Sequence, residues 1–122
     1  WQTEAMALYD LPTTTQNPAG HKDVAVTNVS LPPAGYRLID VREPSEFTGE
    51  LGHIAGATLV PLATVTARAS EWSKTEEILL VCRSGGRSGQ AAQALTRMGF
   101  GKVMNMTGGM LAWNAAGLPV ER

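Results

Sequence analysis

The chain of 122 residues carries one cysteine, Cys82, and the residues after it run Arg83, Ser84, Gly85, Gly86, Arg87 and Ser88. A thiol, two guanidiniums and two glycines in so short a span suit one kind of chemistry. The glycines let the backbone curl so that several N–H groups point inward, and a helix starting near Ser88 adds the positive end of its dipole. Such a nest binds an anion, and the first anion it can hold is the thiolate of Cys82. A free cysteine titrates near about 8.5, and arginines with a helix N-terminus commonly lower this to about 3.5 to 7.5. A drop of two pH units corresponds to about 2.7 kcal/mol of preference for the thiolate. Cys82 is therefore expected to be a nucleophile that is charged at neutral pH.

A cysteine behind Leu79-Leu80-Val81 is in most proteins a small buried hydrophobe. A core cysteine, however, has no use for Arg-Ser-Gly-Gly-Arg beside it. Two other glycine-loop chemistries fail on spacing. A P-loop requires Gly-x-x-x-x-Gly-Lys-Ser/Thr, and no lysine is present here. The dinucleotide fingerprint Gly-x-Gly-x-x-Gly would need glycine at Ser84.

The elements that must position this loop can be read outward from it. Ile78 to Val81 is an apolar run that makes a strand ending at the thiol. After the loop, Ala91, Ala94, Leu95 and Met98 fall at i, i+3, i+4 and i+7, one helical stripe that Gly99 closes. Tyr36 to Val41 reads as a second strand, with Asp40 near its C-terminal end, and Arg42 to Phe47 leads out into a short helix or turn. Gly52 to Ala57 is a small-residue loop before Leu59 to Leu62, Thr64 to Trp72 is a helix, Lys102 to Met106 a last strand, and Met110 to Ala116 a helix closed by Gly117. Asp23 to Ser30 reads as a first short strand, followed by a turn over Pro32-Pro33-Ala34-Gly35. Strands alternating with helices imply a parallel sheet covered on both faces. In such sheets the loops at the C-terminal ends of the strands gather at one edge, which brings Asp40 and Arg42 near the Cys82 loop as supporting residues, more in keeping with a structural ion pair than with direct chemistry. His53 reads as a hydrogen-bonded structural residue.

Composition narrows the function. At 43% apolar content the chain can bury one ordinary core. One cysteine allows no internal disulfide and supplies no resolving thiol. Two histidines and one cysteine give a metal site no support, and nothing calls for a cofactor. No apolar run approaches the length of a membrane span and no signal-peptide pattern opens the chain, so the expectation is a soluble, cytoplasmic protein without a membrane partner. The net charge is -1, but residues 1 to 77 hold ten acids against five Lys or Arg, whereas 78 to 120 hold Arg83, Arg87, Arg97 and Lys102 and no acid. A positive field around a small concave loop favours small anionic substrates. Four scattered cations without interleaved aromatics make a poor nucleic-acid track. Residues 1–23 are polar and aperiodic and read as an arm or linker, the place where a fusion partner would attach.

Four segments in order resemble the motifs of a rhodanese homology domain: Leu38-Ile39-Asp40-Val41-Arg42-Glu43-Pro44-Ser45-Glu46-Phe47, Gly52-His53-Ile54-Ala55-Gly56-Ala57, Val81-Cys82-Arg83-Ser84-Gly85-Gly86-Arg87-Ser88, and Gly108-Gly109-Met110-Leu111-Ala112-Trp113 with Ala116 to Val120. The resemblance covers residues 24–122. It implies an α/β fold of three layers, with a five-stranded, mostly parallel central sheet and helices on both faces. It also implies a sulfurtransferase of the thiosulfate type. Cys82 would take a sulfane sulfur from an anionic donor such as thiosulfate as a persulfide, and pass it to a thiophilic acceptor: cyanide, a small thiol or a protein thiol. The backbone of Arg83 to Arg87 would cradle the sulfur and the arginine side chains would bind the donor, with Ser84, Gly85, Gly86 and Ser88 completing the loop. The alternative is a persulfide carrier or protein-interaction module that does not turn over. Phosphatases and arsenate reductases of the same fold carry Cys-x-x-x-x-x-Arg. Here Arg87 comes one residue too early, and a tetrahedral oxyanion needs a wider ring than a single sulfur atom.

Overall fold

Each central strand is a short run of buried apolar residues, the composition that a sheet covered on both faces requires. The computed structural model describes residues 7–31, 33 and 35–122. Its strands are β1 (Thr15–Gln16), β2 (Lys22–Val24), β3 (Arg37–Asp40), β4 (Thr58–Leu59), β5 (Glu77–Val81) and β6 (Lys102–Met106). The helices are α1 (Pro44–Phe47), α2 (Val65–Ala69), α3 (Gly86–Arg97) and α4 (Gly109–Ala115), with short 3-10 turns at Leu8–Asp10, Val26–Asn28 and Leu62–Thr64. The sheet order is β1-β2-β6-β5-β3-β4. Only β1 with β2 is antiparallel; β2, β6, β5, β3 and β4 pair in parallel. The expected five-stranded parallel sheet is thus present, and the two-residue β1 adds a sixth strand at its edge.

The central strand shows how the layers form. Ile78, Leu80 and Cys82 point into one core with Ala91, Ala92 and Leu95 of α3 and Val65 and Ala69 of α2. Leu79 and Val81 point into the other, with Met104, Met106, Met110 and Trp113. Period-two alternation along β5 therefore feeds both cores, and the thiol ends the α2/α3 side.

Several expected boundaries shift. The strand expected over residues 23 to 30 ends at Val24, after which Val26–Asn28 turns as a 3-10 segment whose Val26 plugs the core. The helix expected from Thr64 to Trp72 is α2, five residues long, preceded by the 3-10 turn at Leu62–Thr64. The buried stripe of α3 is Ser88, Ala91, Ala92 and Leu95, so a serine occupies a place that an apolar-only pattern passes over. Residues 7–23 lie against the sheet: Leu8 is buried in the α4-side core, and β1 pairs with β2. Residues 1–6 of the expected arm, and Pro32 and Ala34 of the expected turn, lie outside the described residues.

Candidate active site

Two strand-to-helix turns at the C-terminal edge of the sheet build the site. After β5, Gly85 takes φ +104° and lets α3 begin at Gly86, two residues earlier than expected. This draws the first-turn N–H groups toward the sulfur: the Gly85 N–H donates to Cys82 Sγ at 3.0 Å, and the Ser88 hydroxyl lies 3.3 Å from it. After β6, α4 starts beneath the loop. The Met110 N–H donates to the Cys82 carbonyl at 2.9 Å and the Leu111 N–H to that of Arg83 at 3.0 Å. Gly109 sits at φ +56°, and a Cβ there would stand 2.5 Å from both carbonyl oxygens. Only glycine lets the second helix come so close to the first loop.

Cys82 is 1% exposed. Burial pushes its thiol up, but hydrogen bonds from the Ser88 hydroxyl and from the N–H groups of Ser88, Gly85 and Ser84 outweigh it and hold the thiol below its ordinary value. The lowered direction matches the expectation; its cause differs. Backbone and hydroxyl donors do what the sequence assigned in part to the arginines. Arg83 and Ser84 are exposed. The Arg87 guanidinium is occupied: its two terminal nitrogens donate to the two oxygens of Glu46 at 2.6 and 2.7 Å. That pairing holds the Glu46 carboxyl down at about 2, helped by the Glu43 N–H and opposed by burial.

Asp40 and Arg42 form a buried bidentate pair below this rim. Arg42 Nε and Nη2 donate to Asp40 at 2.9 and 2.8 Å. The remaining donors reach the carbonyls of Glu46 at 3.2 Å and Gly52 at 2.7 Å. The pair therefore fixes α1, which presents Glu46 to Arg87. His53 Nδ1 is 2.8 Å from the Phe47 carbonyl, which can only accept, so the ring donates there and stacks on Phe47 at 3.7 Å. Both facts suit a bracing residue.

Two residues that sequence reading did not single out complete the site. Glu46 holds Arg87, and Asn105, on the neighbouring β6, joins Ser88 to the Gly85 carbonyl. Glu46 had a signal in its place within the first motif; Asn105 had none beyond being polar in an apolar strand. A hollow of about 420 Å³ around Gly35, Arg37, Thr75 and Glu76 lies at the opposite edge of the sheet and holds no nucleophile. A recess of about 210 Å³ lies between α1 and the loop, lined by Arg42, Ser45, Glu46, Glu50, Leu51 and Arg83. No group of three metal-ligating side chains occurs among the described residues, and no described helix is long and apolar enough to cross a membrane.

Comparison with known proteins gives consistent matches. The model of the rhodanese-like domain matches residues 17–116. A protein named Sulfurtransferase from Allochromatium vinosum is 40% identical over 83 residues, covering 68% of this chain and 76% of its own. Thiosulfate sulfurtransferase GlpE of Vibrio cholerae is 30% identical over 101 residues, covering 83% of this chain and 93% of its own. Across four relatives at 40% identity or more the chain spans between 40% and 76% of their length. The crystal structure of a rhodanese-like domain protein from Staphylococcus aureus superposes with a TM-score of 0.67 at 28% identity, covering 82% of this chain and 98% of the other.

Proposed function

Because this chain belongs to the rhodanese-like domain family, we propose that Cys82 carries out sulfur transfer from a thiosulfate-type donor to an external thiophile. The observation that supports this most is the cup itself: a thiol held toward its thiolate by N–H donors and one hydroxyl. In the first half-reaction the Cys82 thiolate attacks the outer sulfur of thiosulfate. The S–S bond to the sulfonate sulfur breaks, its electron pair leaves with sulfite, and the cysteine becomes a persulfide anion. In the second, a thiolate or cyanide attacks that outer sulfur and the pair returns to Cys82. Each step conserves charge and needs no cofactor.

The chain's residues divide the labour. The loop's N–H groups receive the negative charge on whichever sulfur bears it. Arg83, exposed at the rim, meets the donor's sulfonate first, while Arg87, already paired to Glu46, contributes a more screened charge. Asp40 and Arg42 position α1. With no second cysteine in the chain, discharge requires an acceptor from outside. The name of the Vibrio cholerae relative supports thiosulfate as the donor to try.

Steady-state turnover tests the reading. Sulfite release from thiosulfate in the presence of cyanide or a small thiol is expected for the intact protein. It is expected to be absent in Cys82→Ser, whose hydroxyl stays protonated and cannot hold sulfane sulfur. Sulfite release by Cys82→Ser at the wild-type rate would contradict it. A single stoichiometric release that stops after one sulfur per chain would favour the persulfide carrier.

A further inference from the structure

Ser88 and Asn105 stand in an arrangement that the transfer reaction does not by itself require. Ser88 Oγ is 2.6 Å from Asn105 Oδ1 and 3.3 Å from Cys82 Sγ. The orientation of the amide is fixed from its other end. Asn105 Nδ2 lies 3.3 Å from the Gly85 carbonyl, and a carbonyl can only accept, so the amide nitrogen faces Gly85 and the amide oxygen faces Ser88. Amide oxygen and thiolate are both acceptors, whereas a serine hydroxyl has one proton. Ser88 is fully buried and Asn105 is 8% exposed, so little bulk solvent reaches either to supply a replacement donor.

We propose that Asn105 is a positioning residue that sets the charge state of Cys82 by competing with its sulfur for the single proton of Ser88. With Cys82 as a neutral thiol the hydroxyl bonds to Asn105, the shorter of the two contacts. When the sulfur ionises, rotation about the Ser88 Cβ–Oγ bond turns the proton to Sγ and leaves the amide oxygen without its donor. When the sulfur loses its charge on bonding to an electrophile, the proton turns back. Asn105 thus makes the thiolate less favoured than the loop alone would, and favours the state in which the sulfur is already bonded. This holds for any electrophile, so it stands or falls separately from sulfur transfer.

The test is the pH dependence of Cys82 alkylation by iodoacetamide, a neutral reagent, in the intact chain, in Ser88→Ala, in Asn105→Leu and in the double variant. Ser88→Ala is expected to raise the midpoint and Asn105→Leu to lower it, each by about 0.4 to 1 on the pH scale, the equivalent of one hydrogen bond. The double variant should match Ser88→Ala, because without the hydroxyl there is nothing to compete for. If Asn105 served only to brace the loop, its loss would let the N–H donors drift and would raise the midpoint whether or not Ser88 were present. An Asn105→Leu midpoint at or above that of the intact protein, or a shift that persists without Ser88, overturns the proposal. Should Asn105→Leu fail to fold, Asn105→Ala is read by the same criteria.

Discussion

Two arginine–carboxylate pairs flank the Cys82 loop, and they differ in almost everything but geometry. Asp40 and Arg42 are each 1% exposed, and every nitrogen of the Arg42 guanidinium is spent on Asp40 or on a carbonyl. Arg87 and Glu46 are about a third exposed. A buried pair is weak evidence of added stability as a pair, yet removing one partner leaves a charge stranded in a low-dielectric interior. An exposed pair contributes little to stability and can be reorganised at small cost. The same chemical contact therefore serves as a fixed joint in one place and as an adjustable rim in the other. Burial separates the two roles.

The largest effect should come from breaking the fixed joint. Arg42→Ala strands Asp40 and removes the Arg42 donor from the Gly52 carbonyl, and denaturant unfolding should show a loss of about 3 to 5 kcal/mol. A loss below about 1 kcal/mol would place Arg42 with the rim. Next in size, Arg83→Ala should leave unfolding unchanged while lowering kcat/KM for thiosulfate about tenfold to a hundredfold, the range of a charge-assisted contact. Arg87→Ala should have a smaller effect on both readouts: stability changed by less than about 1 kcal/mol, and a fall in kcat/KM smaller than that of Arg83→Ala. If Arg87→Ala were the more damaging of the two to thiosulfate use, the Glu46 pairing would not screen it and the division of labour above would be wrong.

The smallest effect is a pH dependence. The folded-state value of Glu46, about 2, lies below its ordinary 4.5, so folding favours the ionised carboxylate. Its contribution is complete above about pH 4.5 and disappears as the pH falls from there toward 2. Glu46→Gln should therefore narrow the stability difference between pH 6 and pH 3. An identical acid limb in both proteins would mean that the pair is not maintained in solution.

The same contrast explains what could be read in the sequence. Cys82, its glycines and the strand before it were legible because their types follow from local chemistry: a thiol, a backbone that must take positive φ at Gly85, an apolar run. The sheet was legible because alternation along β5 and the stripe of α3 are local periodicities. Partnership across the chain was not. Arg87 reads as a donor-binding cation until α1 brings Glu46, 41 residues away, onto both its nitrogens. Asn105 is 17 residues from Ser88 and becomes a site neighbour only through the pairing of β6 with β5. β1 was missed because two exposed residues, Thr15 and Gln16, carry no period. They pair as an edge strand because the turn that follows folds them back: the Asn17 N–H donates to the His21 carbonyl.

The central claim is that the sulfur being transferred resides on Cys82, and one measurement addresses it most directly. The intact protein is mixed with thiosulfate without any acceptor, freed of excess donor, and its mass and the modified peptide are determined, before and after addition of a small thiol. The account predicts a gain of one sulfur atom, localised to the peptide bearing Cys82 and removed by the thiol, with no gain in Cys82→Ser. An unmodified Cys82 after exposure to donor, or an added sulfur retained in Cys82→Ser, would contradict it.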